Sequence, residues 1–347
     1  MSVAASALRT RLHVARHIVP AATPGFSVMC NSYRFPSLPK TTPDSVAGNA
    51  SASDTTPLTS PPVLFNHANG FHKEMWEPII ARLPSTRSGS PMYAFDCRNH
   101  GDSAVLNSSV LEKTFDWLTY AKDTLSVIDQ LVTEKPLGIG HSFGANAILM
   151  AEILRPGTFS AIVAIDPTMF PAHFKIQAPL DDHPLANLAL RRRDHWKDRA
   201  EAKTKLLEKP FFRAWDPETL DIYLEHGMKE VSGKDGSLGV TLKCSKFQEA
   251  ITFASDGSAI HDAFERLGEI NIPVYIIAGE HSEINTPDLL QMKLEQCKNG
   301  SLDIVKDAGH LFPMEKPVET AAYVSSFMES LWGSHRSEQA IEGIRSR

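Results

Sequence analysis

Short apolar runs alternate with amphipathic stretches over most of this chain. Residues 63–66, 92–95, 137–139, 161–165, 274–278 and 302–305 are each brief and largely apolar, the pattern of strands buried on both faces. Between the second and third of them, Leu118, Ala121, Leu125, Ile128, Leu131 and Val132 recur every three or four positions, which predicts a helix over 116–132. Strand and helix in alternation imply an α/β fold with a mostly parallel central sheet and helices on both faces. Ahead of it, polar and apolar residues alternate over 13–19, a first strand whose hairpin partner is 25–30. The stretch 40–62, rich in Thr, Ser, Pro and Ala, reads as a flexible surface loop.

From residue 170 to about 267 the rhythm stops. This interval is polar, charged and helix-like, with Arg191-Arg192-Arg193-Asp194-His195-Trp196-Lys197-Asp198-Arg199 at its middle. It is far too long for a connecting loop. A helical cap inserted after the fourth core strand accounts for it. The charge run then reads as a solvated helix face, with a patch for a phosphate-rich carrier such as coenzyme A as the alternative. The expected organisation is core over 1–169, cap over 170–268, core again over 269–335 and a tail over 336–347.

Composition narrows the class of function. The 347 residues carry 35 Lys and Arg against 41 Asp and Glu, a formal charge of −6, so no basic field favours nucleic acid or an anionic membrane. Small-molecule partners fit better, and a homodimer is left open. Cys30, Cys97, Cys244 and Cys297 are scattered, with neither C-x-x-C nor metal-ligand spacing, and read as free thiols in a reducing compartment. No apolar stretch approaches the ~18 residues of a membrane span, and the N-terminus lacks the apolar core of a secretory signal. Its first 43 residues hold no Asp or Glu, and Arg9, Arg11 and Arg16 give it a faint likeness to a mitochondrial presequence. The strand reading of 13–19 is preferred.

The chemistry concentrates at Gly140-His141-Ser142-Phe143-Gly144, between an apolar run and the helix-like run 145–154. Strand, sharp turn and helix with serine at the apex is the pattern of a nucleophile elbow, whose glycines are needed where a Cβ would collide with neighbouring backbone. A serine hydroxyl needs a base to take its proton, and the base needs an acid to fix its tautomer. His310, in the Gly-preceded loop after the last strand, is the best-placed base. The oxyanion needs two converging backbone N–H donors: Phe143, directly after the serine, and Asn69, in His67-Ala68-Asn69-Gly70-Phe71 after the strand ending at Asn66. Two places can supply the acid. Asp166 ends the strand 161–165; Glu283 lies near the end of 274–278, where Ser282 stands at the position commonly holding aspartate. Asp166 is favoured, with Glu283 as the alternative.

Together these motifs resemble the α/β-hydrolase superfamily over nearly the whole chain, as does Asp96-Cys97-Arg98-Asn99-His100-Gly101-Asp102-Ser103, which is similar to its D-x-R-x-H-G-x-S loop. The oxyanion loop, that loop with its continuation to Asn107, and the serine-to-aspartate spacing resemble a fungal branch. It holds a mycophenolic-acid acyl-CoA hydrolase, host-selective-toxin biosynthesis hydrolases and a peroxisomal lipase. The resemblance implies an acid after the strand that Asp166 ends, a thioester or ester of a lipophilic acyl chain as substrate, no cofactor or metal, and a setting in secondary-metabolite (toxin) biosynthesis. It also implies a cytoplasmic or peroxisomal protein, not a secreted one. The chain departs from the branch in ending Arg345-Ser346-Arg347 rather than in a Ser-Lys-Leu-like address, and in Ala68 where glycine is usual. A C–C bond hydrolase or perhydrolase keeps the same serine, and a binding protein on a hydrolase scaffold is the non-enzymatic alternative.

Overall fold

In the computed structural model, which describes residues 12–35, 61–83, 91–174, 178–232, 236–255 and 257–345, with side chains to Leu331, the apolar runs form the centre of one sheet. Residues 1–11 and 36–43 of the presequence-like stretch, most of the expected loop 40–62 and the tail's side chains lie outside the described residues. The strands are β1 (His13–Pro20), β2 (Ser27–Arg34), β3 (Val63–Asn66), β4 (Met92–Phe95), β5 (Leu137–His141) and β6 (Ala161–Ile165). They are followed by β7 (His195–Trp196), β8 (Met228–Ser232), β9 (Leu238–Leu242), β10 (Val274–Gly279) and β11 (Gly300–Val305). Among the described residues, eight of them form a sheet in the order β1-β2-β4-β3-β5-β6-β10-β11. The six strands from β4 to β11 run parallel, and β2 is antiparallel to both β1 and β4.

Every residue of β3, β4, β5, β6 and β10 is buried, because both faces are covered. Alternate residues go to opposite sides. Leu64, Phe95, Ile162 and Ile276 pack with the helices Trp117–Leu131, Phe143–Leu154 and Ser258–Glu265. Val63, Phe65, Ile165 and Ile277 face the other way, against Ile79, Phe312, and Ala321, Val324 and Met328 of the helix Pro317–Arg345. That last helix runs through the boundary expected at 335. The helix predicted over 116–132 forms at Trp117–Leu131, where Asp116 caps it by accepting from the Leu118 N–H at 2.8 Å.

The cap interval differs from its expected helical character. It holds the helices Pro184–Arg191, Arg199–Leu207, Pro217–His226 and Lys246–Phe253, but β7, β9 and β8 form a small antiparallel sheet among them. Near the end expected for it, Ala259, Ile260, Ala263 and Phe264 pack in the same apolar cluster as Ile162 and Ala164 of β6. The cap's own apolar cluster, with Trp196, Trp215, Leu220 and Tyr223, packs on Ala68, Phe71 and Met314, so it rests on the loops that carry Asn69 and His310.

The pairing sets where function can sit. Asn66 pairs with Gly140, His141 with Ile165, and Ile165 with Ile277. The carboxyl ends of β3, β5, β6 and β10 therefore lie side by side, and the chain leaves all four at one edge of the sheet. That crevice is where ligands bind in open parallel sheets.

Candidate active site

Ser142 sits between β5 and the helix Phe143–Leu154 with φ +54° and ψ −116°, a conformation that L residues rarely adopt. The glycines around it explain how the turn closes. A Cβ on Gly140 would lie 2.4 Å from the Gly144 carbonyl oxygen, and one on Gly144 would lie 2.3 Å from the Asn66 carbonyl oxygen. Both approaches are to backbone, which cannot swing away. The strained serine is held by strand pairing as well, its N–H donating to the Ile165 carbonyl at 2.9 Å.

His310 and Asp166 converge on this serine. His310 Nε2 lies 3.0 Å from Ser142 Oγ, and His310 Nδ1 hydrogen-bonds Asp166 Oδ2. A carboxylate accepts only, so the proton on that side belongs to Nδ1, and Nε2 is left to accept from the serine hydroxyl. Thr168 Oγ1 is 3.1 Å from Ser142 Oγ; with the serine donating to the imidazole, Thr168 is the donor of this second bond. Asp166 is fully buried at the end of β6, itself at φ +41°. Glu283, the alternative acid, is exposed. Ser282, beside it, donates to Asp166 Oδ2 at 2.6 Å, and Asn285 Nδ2 donates to Asp166 Oδ1 at 2.9 Å.

The two expected oxyanion donors face no competing acceptor: among the described residues, the N–H groups of Asn69 and Phe143 donate to no protein atom. Phe143 opens its helix, where the first N–H groups have no intrahelical partner and the helix dipole is positive. Asn69 is pinned by its side chain, Nδ2 donating to the Glu249 carbonyl at 3.1 Å and Oδ1 lying 2.9 Å from His100 Nε2. Gly70 follows at φ +83°. The loop Asp96–Ser103 braces it from below: Lys73 bonds Asp96 and Asp102 at 2.8 Å each, and Arg98 clamps Asp123 through two nitrogens at 2.7 and 2.9 Å.

Two histidines here are structural. The Cys97 N–H donates to His67 Nε2, so Nδ1 carries the proton and gives it to the Ala68 carbonyl at 2.8 Å. His141 Nε2 donates to the His310 carbonyl at 2.9 Å. Burial pushes the first down to about 4 and the second, with the His310 charge also opposing protonation, down to about 3. Both are neutral props near pH 7, and His141 fixes the backbone of the loop that presents His310.

A profile of the alpha/beta hydrolase family matches residues 63–323, from β3 into the last helix. The chain belongs to this family. An abhydrolase domain-containing protein of Alternaria alternata, ACTT2-1, is 26% identical over 238 residues, 58% of this chain and 88% of that one. The type I acyl-CoA thioesterase mpaH of Penicillium brevicompactum is 28% identical over 171 residues, 48% of this chain but 39% of the thioesterase. The peroxisomal alpha-beta-hydrolase Lpx1 of Saccharomyces cerevisiae superposes with a TM-score of 0.76 at 18% identity, covering 97% of each chain. At that identity the likeness speaks for the fold alone. The sequence relatives thus include a protein named as a thioesterase.

Sequence reasoning placed Ser142, His310, Asp166, Asn69 and Phe143, and the fold brings the first three into one hydrogen-bonded chain. It did not find Thr168, Asn285 or His141. The first two are ordinary polar residues in loops, and only contact distances mark them. The charge run also resolves differently from a helix face. The helix ends at Arg191, and Arg192 turns inward to pair with the carboxylate of Glu249 over the oxyanion loop, while Arg191 and Arg193 stay exposed. No helix among the described residues is long and apolar enough to cross a membrane.

Proposed function

We propose that this alpha/beta hydrolase is a serine hydrolase that cleaves a thioester or ester of a lipophilic acyl chain through an acyl-enzyme. The supporting observation is the continuous chain from Ser142 Oγ through both nitrogens of His310 to Asp166. His310 takes the serine proton as Ser142 Oγ attacks the acyl carbonyl, and Asp166 stabilises the imidazolium that forms. The N–H groups of Phe143 and Asn69 receive the oxyanion. Its collapse expels the thiolate or alkoxide, which leaves with the proton from His310. Water then enters, gives a proton to His310, and attacks the acyl carbon; the acid departs and Ser142 recovers its hydrogen. Every step uses side chains and water, so the cycle needs no metal or organic cofactor. The cap is the part of the chain assigned to the acyl pocket. Acyl-CoA is the preferred substrate class, with coenzyme A leaving as the thiolate, by kinship with a protein named as an acyl-CoA thioesterase. A setting in secondary-metabolite biosynthesis is the widest frame of this reading.

The test is a hydrolysis panel of p-nitrophenyl esters and acyl-CoAs of graded chain length, run beside fluorophosphonate labelling. Ser142→Ala should abolish labelling and lower turnover by roughly 10⁴-fold or more. Asp166→Asn should cost roughly 10³- to 10⁴-fold, and Glu283→Gln almost nothing. Full turnover in Ser142→Ala, or a larger loss in Glu283→Gln than in Asp166→Asn, would overturn the assignment.

A further inference from the structure

Lys293 is fully buried, on a helix face it shares with Leu289 and Leu290. A leucine or methionine would be ordinary there; a buried ammonium is costly unless it is compensated. Its partners are few and all lie next to the candidate acid. Nζ donates to the Pro167 carbonyl at 2.8 Å and to Asn285 Oδ1, and sits 5.4 Å above the Phe170 ring. Among the described residues no carboxylate pairs with it directly. Asn285 hands the interaction on, its Nδ2 donating to Asp166 Oδ1.

We infer that Lys293 is a positioning residue for Asp166, acting through Asn285 and through the Pro167 carbonyl, so that a buried cation holds the acid in the orientation His310 requires. The inference rests on the serine-hydrolase reading. An ammonium donates and never accepts, so it compels the amide oxygen of Asn285 to face it and thereby turns the amide N–H₂ toward the carboxylate. Donors arranged head to tail in a dry interior polarise one another, so the positive end is delivered to Asp166. The same ammonium grips the carbonyl immediately after Asp166, whose backbone is in the left-handed region and needs such a hold. Burial pushes Lys293 down to about 7 against the opposing pull of the Asp166 charge, so the cationic form prevails below neutral pH. The strand end that commonly supplies the acid thus keeps a part in the site: after β10 come Ser282 and Asn285, both donors to an acid supplied by β6.

The experiment is a double-mutant cycle on the full chain, read by the rate of fluorophosphonate labelling at Ser142 and by kcat and KM on one p-nitrophenyl ester. Lys293→Met and Asn285→Ala are each made alone and in an Asp166→Asn background. The expected result is a roughly ten- to hundredfold fall in labelling rate and kcat with KM within about twofold, and less than about twofold further loss once Asp166 is already Asn. Equal losses in both backgrounds would mean a merely structural role and overturn the inference, as would an unchanged rate in either single variant. Should Lys293→Met fail to fold, Lys293→Gln decides, since it removes the cation but leaves Asn285 and its bond to Asp166 in place. A wild-type labelling rate in Asp166→Asn alone would instead overturn the triad reading underneath.

Discussion

Replacing Gly144 with alanine tests how the elbow is built, independently of any substrate. The new Cβ would lie 2.3 Å from the Asn66 carbonyl oxygen, 2.5 Å from the Asn66 carbonyl carbon and 2.6 Å from the His67 carbonyl oxygen, whereas real Cβ contacts stay beyond 3.0 Å. The helix Phe143–Leu154 and the end of β3 must therefore part by about 0.7 Å, and both are backbone held in a buried sheet. Overpacking of this kind costs about 1–3 kcal/mol, and rigid backbone on both sides puts the expectation near 3. For a chain of this size, that is a fall in Tm of about 4 °C. The shift also separates Phe143 from the loop carrying Asn69, and a displacement approaching ~1 Å costs up to ~100-fold in rate. Calorimetry and fluorophosphonate labelling read the two effects. The control is Gly268→Ala, whose Cβ would meet only the Gln296 carbonyl oxygen at 3.6 Å; its Tm should hold or rise slightly. A Gly144→Ala protein that melts within about 1 °C of wild type and labels at the wild-type rate would refute the steric reasoning.

Two further outcomes follow from buried charge. His67 and His141 titrate near 6.5 when unfolded but at about 4 and about 3 when folded, so below pH 6.5 the unfolded chain binds more protons and stability falls with pH. At pH 5 each should have cost about 2 kcal/mol relative to pH 7.5, seen as a lower urea midpoint with an unchanged slope; a flat profile over that range would contradict the buried, neutral assignment. Lys73 is fully buried among Glu74, Asp96 and Asp102, each 2.8 Å away; burial opposes its charge, but these carboxylates outweigh it and hold the ammonium above its ordinary value. Lys73→Met removes the ammonium that three acids share and leaves the fully buried Asp96, among the described residues, with backbone donors as its remaining partners, so it should destabilise by about 3–5 kcal/mol in urea unfolding, and a loss under ~1 kcal/mol would show the network to be dispensable.

Much of this was legible along the chain because it is local. Strand burial on both faces forces unbroken apolar runs, so β3, β4, β6 and most of β5 and β10 could be read directly. The elbow was equally legible, since its two glycines answer to clashes within a few residues or with the adjoining strand. His310 and Asp166 followed from where strands end. The cap was read less well: the short strands β7, β8 and β9 lie between helices and are partly exposed, so they carry no buried apolar run to betray them.

What the tertiary structure decided was which distant polar groups meet. Asp166 and Glu283 both lie near the ends of strands that become neighbours, and spacing alone cannot say which carboxylate turns inward; packing buries Asp166 under Ser282, Asn285 and His310 and leaves Glu283 in solvent. Lys293 is more extreme, since in the sequence it is one lysine on an amphipathic helix. Only the closing of β6 beside β10 places its ammonium, 126 residues along the chain, against the Pro167 carbonyl. Hydrophobic periodicity is written residue by residue because burial acts on each residue, whereas a hydrogen-bonded chain of side chains exists only once the sheet has brought its strand ends together.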